Sequence, residues 1–257
     1  YDDRGWSKVR VVEHDRKVLV APAGPPVRRI AEVRPVRVMK TPKGETVLDL
    51  GQNLVGRVRM KVRGPAGTTV TLRHAEVLDK DGNFYTANLR AAKQQVKYTL
   101  KGGGDEVYEP HFSFQGFRYV AVEGWPGEPT LDGLTGVVVH SDMPTTGRFT
   151  TSNPLLNQLQ HNIQWGQKGN FLDVPTDCPQ RDERLGWTGD AQVFARTATF
   201  NMDVAGFFTK WLGDVAADQQ ADGAVPFVVP NVLTTPEKRE SASAAWAASI
   251  CCLTCSM

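Results

Sequence analysis

The feature that most constrains the fold is a change of period part-way along the chain. Up to about residue 148, apolar residues recur at every second position. In VGRVRMKVRG, Val58, Met60 and Val62 alternate with Arg57, Arg59, Lys61 and Arg63, as in a strand with one face buried and the other wet. TTVTLRHAEVL alternates Val70, Leu72 and His74 in the same way. VKYTLKGGGDEVYEP reads as a strand ending in a glycine turn, and GFRYVAVEGWPGEP and LTGVVVHSD follow. Short strands with turn signals at near-regular spacing predict an all-β sandwich or jelly roll. From Thr150 the period lengthens. TSNPLLNQLQHNIQWGQKGN offers Ser152 or Asn153 as a helix N-cap, Pro154 at the first helical position, and Leu155, Leu156, Leu159 and Ile163 at helical spacing. GDAQVFARTATFN predicts a second helix. DVAGFFTKWLGDVAADQQ predicts a third, capped by Asp203, with Val204, Phe207, Phe208, Trp211, Leu212 and Val215 on one stripe; SASAAWAAS reads as a possible opening of another.

The expected organisation is multidomain, β then α: a tail or linker over 1–30, rich in proline toward its end, a β-sandwich over 31–148 and a helical part over 149–257. Amphipathic helices need partners for their apolar stripes; left exposed, such stripes predict poor solubility or self-association. The 257 residues suit one or two domains, and 40% hydrophobic with 23% charged residues suits a soluble globular chain. A net charge of +2 gives no field that would select nucleic acid or an anionic membrane, and no apolar run is long enough to cross a bilayer. The opening YDDRGWSKVR is polar and does not read as a signal peptide, which leaves the compartment open. Cys178 stands alone and Cys251, Cys252 and Cys255 cluster near the end, which is neither a disulfide framework nor a complete zinc-ligand set.

Between the first two helices lies DVPTDCPQRDERLGWTGD, residues 173–190, with five acids, two arginines and a tryptophan on a segment broken by Pro175, Pro179, Gly186 and Gly189. The prolines forbid a continuous helix, so Asp177, Glu183 and Asp190 are expected to be placed by loop geometry rather than helical register. Crowded carboxylates raise the pKa of at least one of them, and a carboxyl group kept protonated near neutral pH can act as a general acid. Arg181 and Arg184 offset part of the charge, and Trp187 offers an apolar face to a sugar ring. Chemistry alone leaves three readings open: a surface salt-bridge cluster, a glycosidic-cleavage site, and a calcium site, the last without the spacing of an EF-hand loop. His74 and Glu76, on one strand face, are expected to form either a buried polar pair or part of a ligand groove.

DVPTDCPQRDERLGWTGDAQ resembles the signature of bacterial α-L-rhamnosidases, inverting glycoside hydrolases that release terminal L-rhamnose. LDLGQNLVGRVRMKV, LRHAEVL, YTLKGGG, YEPHFSFQGFRYVAVEG and PTTGRFTTSNPLLNQL are similar to that family's concanavalin-like sandwich and its passage into the catalytic domain. The resemblance implies a concanavalin-like β-sandwich followed by the first helices of a six-hairpin (α/α) toroid. It makes Glu183 the general acid. Asp177 and Asp190 become flanking carboxylates that bind rhamnose hydroxyls, Arg181 and Trp187 line the same sugar subsite, and Trp246 is an aromatic wall. It implies a rhamnose-containing glycoside as partner, no cofactor and no metal; the oligomeric state is left open. Two departures accompany it. The carboxylate that activates water is expected on a downstream part of the toroid, so the chain is read as a fragment lacking its general base and inactive alone. After Trp246 the family's acidic residue is replaced by Ala247, Ala248 and Ser249, and ICCLTCSM then reads as a reading-frame slip or truncation. The alternative is a non-catalytic carbohydrate-binding or accessory module.

Overall fold

The computed structural model describes residues 2–233. Eight antiparallel strands come first: β1 (Val27–Val33), β2 (Arg37–Lys40), β3 (Thr46–Arg63), β4 (Thr69–Ala75), β5 (Gln95–Thr99), β6 (Asp105–Tyr108), β7 (Gln115–Glu123) and β8 (Leu134–Ser141). Their order is β1-β8-β3-β7-β4-β5, with β2 and β6 also paired to β3. β3 organises the sandwich. Its first half lies between β2 and β7, and its second half pairs with β8 and β6. Between the halves the register shifts, from Asp49 to Leu54. The bend there is held by Asp49, whose Oδ1 accepts from the Gly51 amide at 2.8 Å and from Arg118 Nε at 2.8 Å; Gly51 itself sits at φ +72°, where a side chain would be strained.

The alternation read from the sequence sets the core. Val58, Met60 and Val62 are buried with Val70, Leu72, Phe117, Val120, Leu134 and Val138, while the arginines between them pair across the wet face: Glu109 accepts from Arg57 and Arg59. His74 falls in the same buried set. Its Nδ1 lies 2.7 Å from the Gln94 carbonyl and its ring stands edge-on to Phe117. Burial, partly opposed by that carbonyl, pulls its pKa down to about 4.

Three helices follow: α1 (Pro154–Asn170), α2 (Thr188–Asn201) and α3 (Ala205–Asp218). Asn153 caps α1, its Oδ1 accepting from the Leu155 amide at 2.9 Å, with Pro154 first in the helix. Asp203 Oδ1 accepts from the Ala205 amide at 3.3 Å, although the backbone of α3 begins after Val204. α3 buries Phe207, Phe208, Trp211 and Val215 as its stripe requires, and Phe207 stacks on Phe171 at 4.6 Å. Each such side chain contributes about 1.5–3 kcal/mol of burial. α1 behaves differently. Its buried residues are Gln167 and Gly169, whereas Leu155 is 78% exposed and Leu159 53%. α1 meets the sandwich from its middle to its C-terminal end: His161 reaches Gln52 at 2.9 Å, Trp165 packs against the sandwich core, and at Gly169 a Cβ would lie 2.8 Å from a Val55 methyl. The leucine stripe is therefore no core for the described residues. No helix among the described residues is long and apolar enough to cross a membrane.

Candidate active site

The acidic loop leaves α1 through a two-residue hairpin, β9 (Phe171–Leu172) with β10 (Val174–Pro175), turned at Asp173 with φ +69°. Thr176 fastens its exit, both amide and hydroxyl donating to the Asn170 carbonyl at 2.7 and 3.0 Å. The loop then lies down on the sandwich. Pro179 and Gln180 rest on Gly116 of β7, where a Cβ would stand 3.1 Å from the Gln180 nitrogen. Gln94 Nε2 donates to the Gln180 carbonyl at 2.5 Å. Arg184, at φ +60°, donates to the Phe114 carbonyl at 2.8 Å and lies over the Phe114 ring at 4.6 Å; burial lowers its pKa. These ties make the loop part of the sandwich surface, and such rigidity holds charged groups at set distances.

Within that frame, Asp177 Oδ1 accepts from the Leu185 amide at 2.9 Å, closing the loop on itself. Glu183 Oε2 takes Arg181 Nε at 2.9 Å and Nη2 at 2.8 Å, together with Arg90 Nη1 at 3.0 Å. Oε1 of the same carboxyl makes no hydrogen bond among the described residues, and the side chain is only 18% exposed. Asp177, Cys178 and Glu183 each place a donor atom within 4.8 Å of the others. That set suits a cation poorly. Burial, with the Asp177 carboxylate beside it, pushes the Cys178 thiol up to about 12, and two guanidiniums already occupy the Glu183 carboxyl.

Asp190 corrects one expectation. It is not set by loop geometry but is the third residue of α2, on the first turn, where the helix dipole favours negative charge. Burial nevertheless raises its pKa, and the Asp177 carboxylate raises it further. Asp177 and Asp190 line a cavity of about 630 Å³ with Asn170, Thr176, Gln192 and Phe194. Arg181 and Glu183 line a separate cleft of about 370 Å³ with Gln94 and Arg184. The structure therefore brings Asp177 together with Asp190 on one side and with Glu183 on the other. Trp187 is the residue just before α2, bridged through its backbone to Val228, and does not line the Asp177–Asp190 cavity. Trp246 lies outside the described residues.

Sequence reasoning missed Arg90 and Gln94. Both come from the sandwich, and Arg90 meets Glu183 across 93 positions of sequence; the one local signal is the backbone at Arg90, φ +55°, which no residue pattern announces. The His74–Glu76 pair is also revised. His74 turns to Gln94 in the core, while Glu76 accepts from Asn53 Nδ2 at 3.0 Å at the edge of the sheet.

Residues 39–140 match the model of the bacterial alpha-L-rhamnosidase concanavalin-like domain, and residues 144–257 match that of the bacterial alpha-L-rhamnosidase 6 hairpin glycosidase domain. The chain belongs to the bacterial α-L-rhamnosidase family. It is 56% identical over 234 residues to an alpha-L-rhamnosidase of Streptomyces avermitilis, an alignment covering 90% of this chain and 23% of that protein. Among solved structures, the S. avermitilis α-L-rhamnosidase complexed with L-rhamnose superposes with a TM-score of 0.89 at 52% identity, over 97% of this chain and 24% of that one. The α-L-rhamnosidase from Dictyoglumus thermophilum superposes with a TM-score of 0.86 at 39% identity, over 91% and 26%. The chain thus spans about a quarter of the length of the family relatives it matches.

Proposed function

We propose that these residues serve an α-L-rhamnosidase reaction, the hydrolysis of terminal α-L-rhamnosides with inversion. Asp177 and Asp190 accept the rhamnose hydroxyls and Glu183 acts as general acid. The observation that carries this reading is the carboxyl cluster on one braced loop, with Asp177 within 4.8 Å of Glu183 and in the Asp190 cavity. A sequence relative, a rhamnosidase, has been solved with L-rhamnose bound. Carboxyls that crowd one another accept hydroxyl hydrogen bonds readily, and the pair's repulsion is relieved when a polar ligand bridges them. Glu183 would deliver a proton from Oε1 to the glycosidic oxygen as the anomeric carbon–oxygen bond breaks, Arg181 and Arg90 then holding the carboxylate that remains. Asp177 stands too close to Glu183 to be the water-activating partner, because inverting pairs are about 6.5–9.5 Å apart. A different carboxylate is required for that step, and the product takes its hydroxyl on the opposite face of the ring.

The test is binding. Titration of the chain with L-rhamnose, followed by calorimetry or ligand-observed NMR, is expected to give saturable millimolar binding that Asp190→Asn weakens by about tenfold, the loss of a charged hydrogen bond. Undiminished binding in both Asp177→Asn and Asp190→Asn would remove the site from this loop. A carbohydrate-binding module is the outcome if rhamnose binds but Glu183→Gln leaves every rhamnoside hydrolysis rate unchanged, in this chain and in any longer protein that carries it.

A further inference from the structure

A second cavity, of about 490 Å³, opens between the sandwich and α1. Gln52 and Asn53 reach it from the bend of β3, Glu76 from the residue just past β4, and Asn162 and Trp165 from α1. It shares Gly166, Asn170 and Asp177 with the Asp177–Asp190 cavity, so the two meet at Asp177. Glu76 is the group that the proposed chemistry leaves idle. Its carboxyl accepts from Asn53 at 3.0 Å, and no cation pairs with it among the described residues. Burial pushes its pKa above the ordinary glutamate value. A half-buried carboxyl without a cation is costly unless something else supplies donors. The rim around it is built rather than loose. Gln52 Oε1 lies 2.9 Å from His161 Nε2, pinning the β3 bend to α1, and Lys168 Nζ sits over the Trp165 ring at 4.6 Å, fixing the indole.

The lining sets the ligand class. It holds two carboxyls, several amides and an indole, and no lysine, arginine or histidine. Anions are therefore repelled, and a hydrocarbon would leave the amides and Glu76 unpaired. A neutral polyhydroxylated ring matches the set: vicinal hydroxyls donate to Glu76 and exchange hydrogen bonds with Asn53 and Asn162. We infer that this cavity receives the sugar on the leaving-group side of the scissile bond, so that the sandwich takes part in substrate recognition through Glu76 and Asn53. The inference rests on the reading of the Asp177–Asp190 cavity as the rhamnose site, because the two share Asp177 as a wall.

The experiment compares L-rhamnose with a panel of α-L-rhamnosyl-glucose disaccharides of different linkage, by calorimetry on the wild-type chain and on Glu76→Ala and Asn53→Ala, with circular dichroism confirming that each variant is folded. At least one disaccharide is expected to bind about fivefold or more tighter than rhamnose, as hydrogen bonds to a charged group allow. Glu76→Ala should remove that gain while leaving rhamnose affinity unchanged, and Asn53→Ala should remove part of it. Rhamnose binding with no gain from any disaccharide, or with a gain that both variants keep, overturns this inference and leaves the functional reading intact. Disaccharide binding that depends on Glu76, without rhamnose binding, supports the cavity assignment and overturns the rhamnose reading. Binding of neither ligand overturns both.

Discussion

The sandwich and the helices treat their apolar residues differently. In the sandwich, every apolar position of the alternating segment 58–62 is below 4% exposed, and the intervening arginines find acid partners across the sheet. In the helical part, α3 buries Phe207, Phe208, Trp211 and Val215 and half-buries Leu212, but α1 exposes Leu155, Leu156 and Leu159, and α2 exposes Val193 and Phe200. A strand face is covered by its own sheet folding over, whereas a helix stripe needs another helix. The sandwich therefore stabilises itself, and the acidic loop takes much of its rigidity from the sandwich, through Gln94 and Phe114, in addition to its tie to the end of α1 at Asn170.

The sharpest way to break this contrast is to truncate one apolar side chain on each kind of helix face. Phe208→Ala in α3 is expected to cost about 3–5 kcal/mol, as removal of a fully buried ring does, read from urea denaturation; Leu159→Ala on α1 should stay within about 0.5 kcal/mol of wild type. Similar losses at both sites would mean that α1 is covered in solution.

Acid probes the sandwich core next. An unfolded imidazole titrates near 6.5, whereas buried His74 titrates at about 4. Below pH 6.5 the unfolded chain gains a proton that the folded chain refuses, so stability should fall by up to about 3 kcal/mol as pH drops from about 6.5 to 4 and stay level above. His140, whose pKa burial also lowers, acts in the same direction. His74→Gln should flatten most of this slope; an unchanged slope would place the titration elsewhere.

A smaller effect is expected at the β3 bend. Asp49→Ala leaves the Arg118 and Arg37 guanidiniums and the Gly51 amide without their acceptor and should cost about 2 kcal/mol, visible as a lowered melting temperature. The smallest is on the exposed stripe: Leu155→Ser with Leu159→Ser should change stability little while reducing self-association in sedimentation velocity.

Much of this was legible because local rules act locally. The alternation around Val58–Val62, the Asn153–Pro154 helix start and the stripe of α3 each follow from backbone period and capping chemistry. The carboxylate-rich loop was visible as composition. Its bracing was not, because Arg90, Gln94 and Phe114 come from sandwich segments far away in sequence and carry no pattern of their own. The same limit hid the split between His74 and Glu76, which share a strand face in sequence but turn to partners on different elements. Proline logic assigns Asp190 to the loop although the predicted second helix, GDAQVFARTATFN, already contains it; Pro175 and Pro179 do break the chain, and the helix resumes at Thr188, before the acid.

The central claim is that Asp177 and Asp190 form one sugar-binding wall beside Glu183. It is tested most directly by measuring the dissociation constant of L-rhamnose for the wild-type chain and for Asp177→Asn, Asp190→Asn and the double variant. The account predicts that each single variant weakens binding and that the double variant loses less than the sum of the two, because both carboxyls hold the same ring. Full additivity, or rhamnose binding unchanged in the double variant, would contradict it.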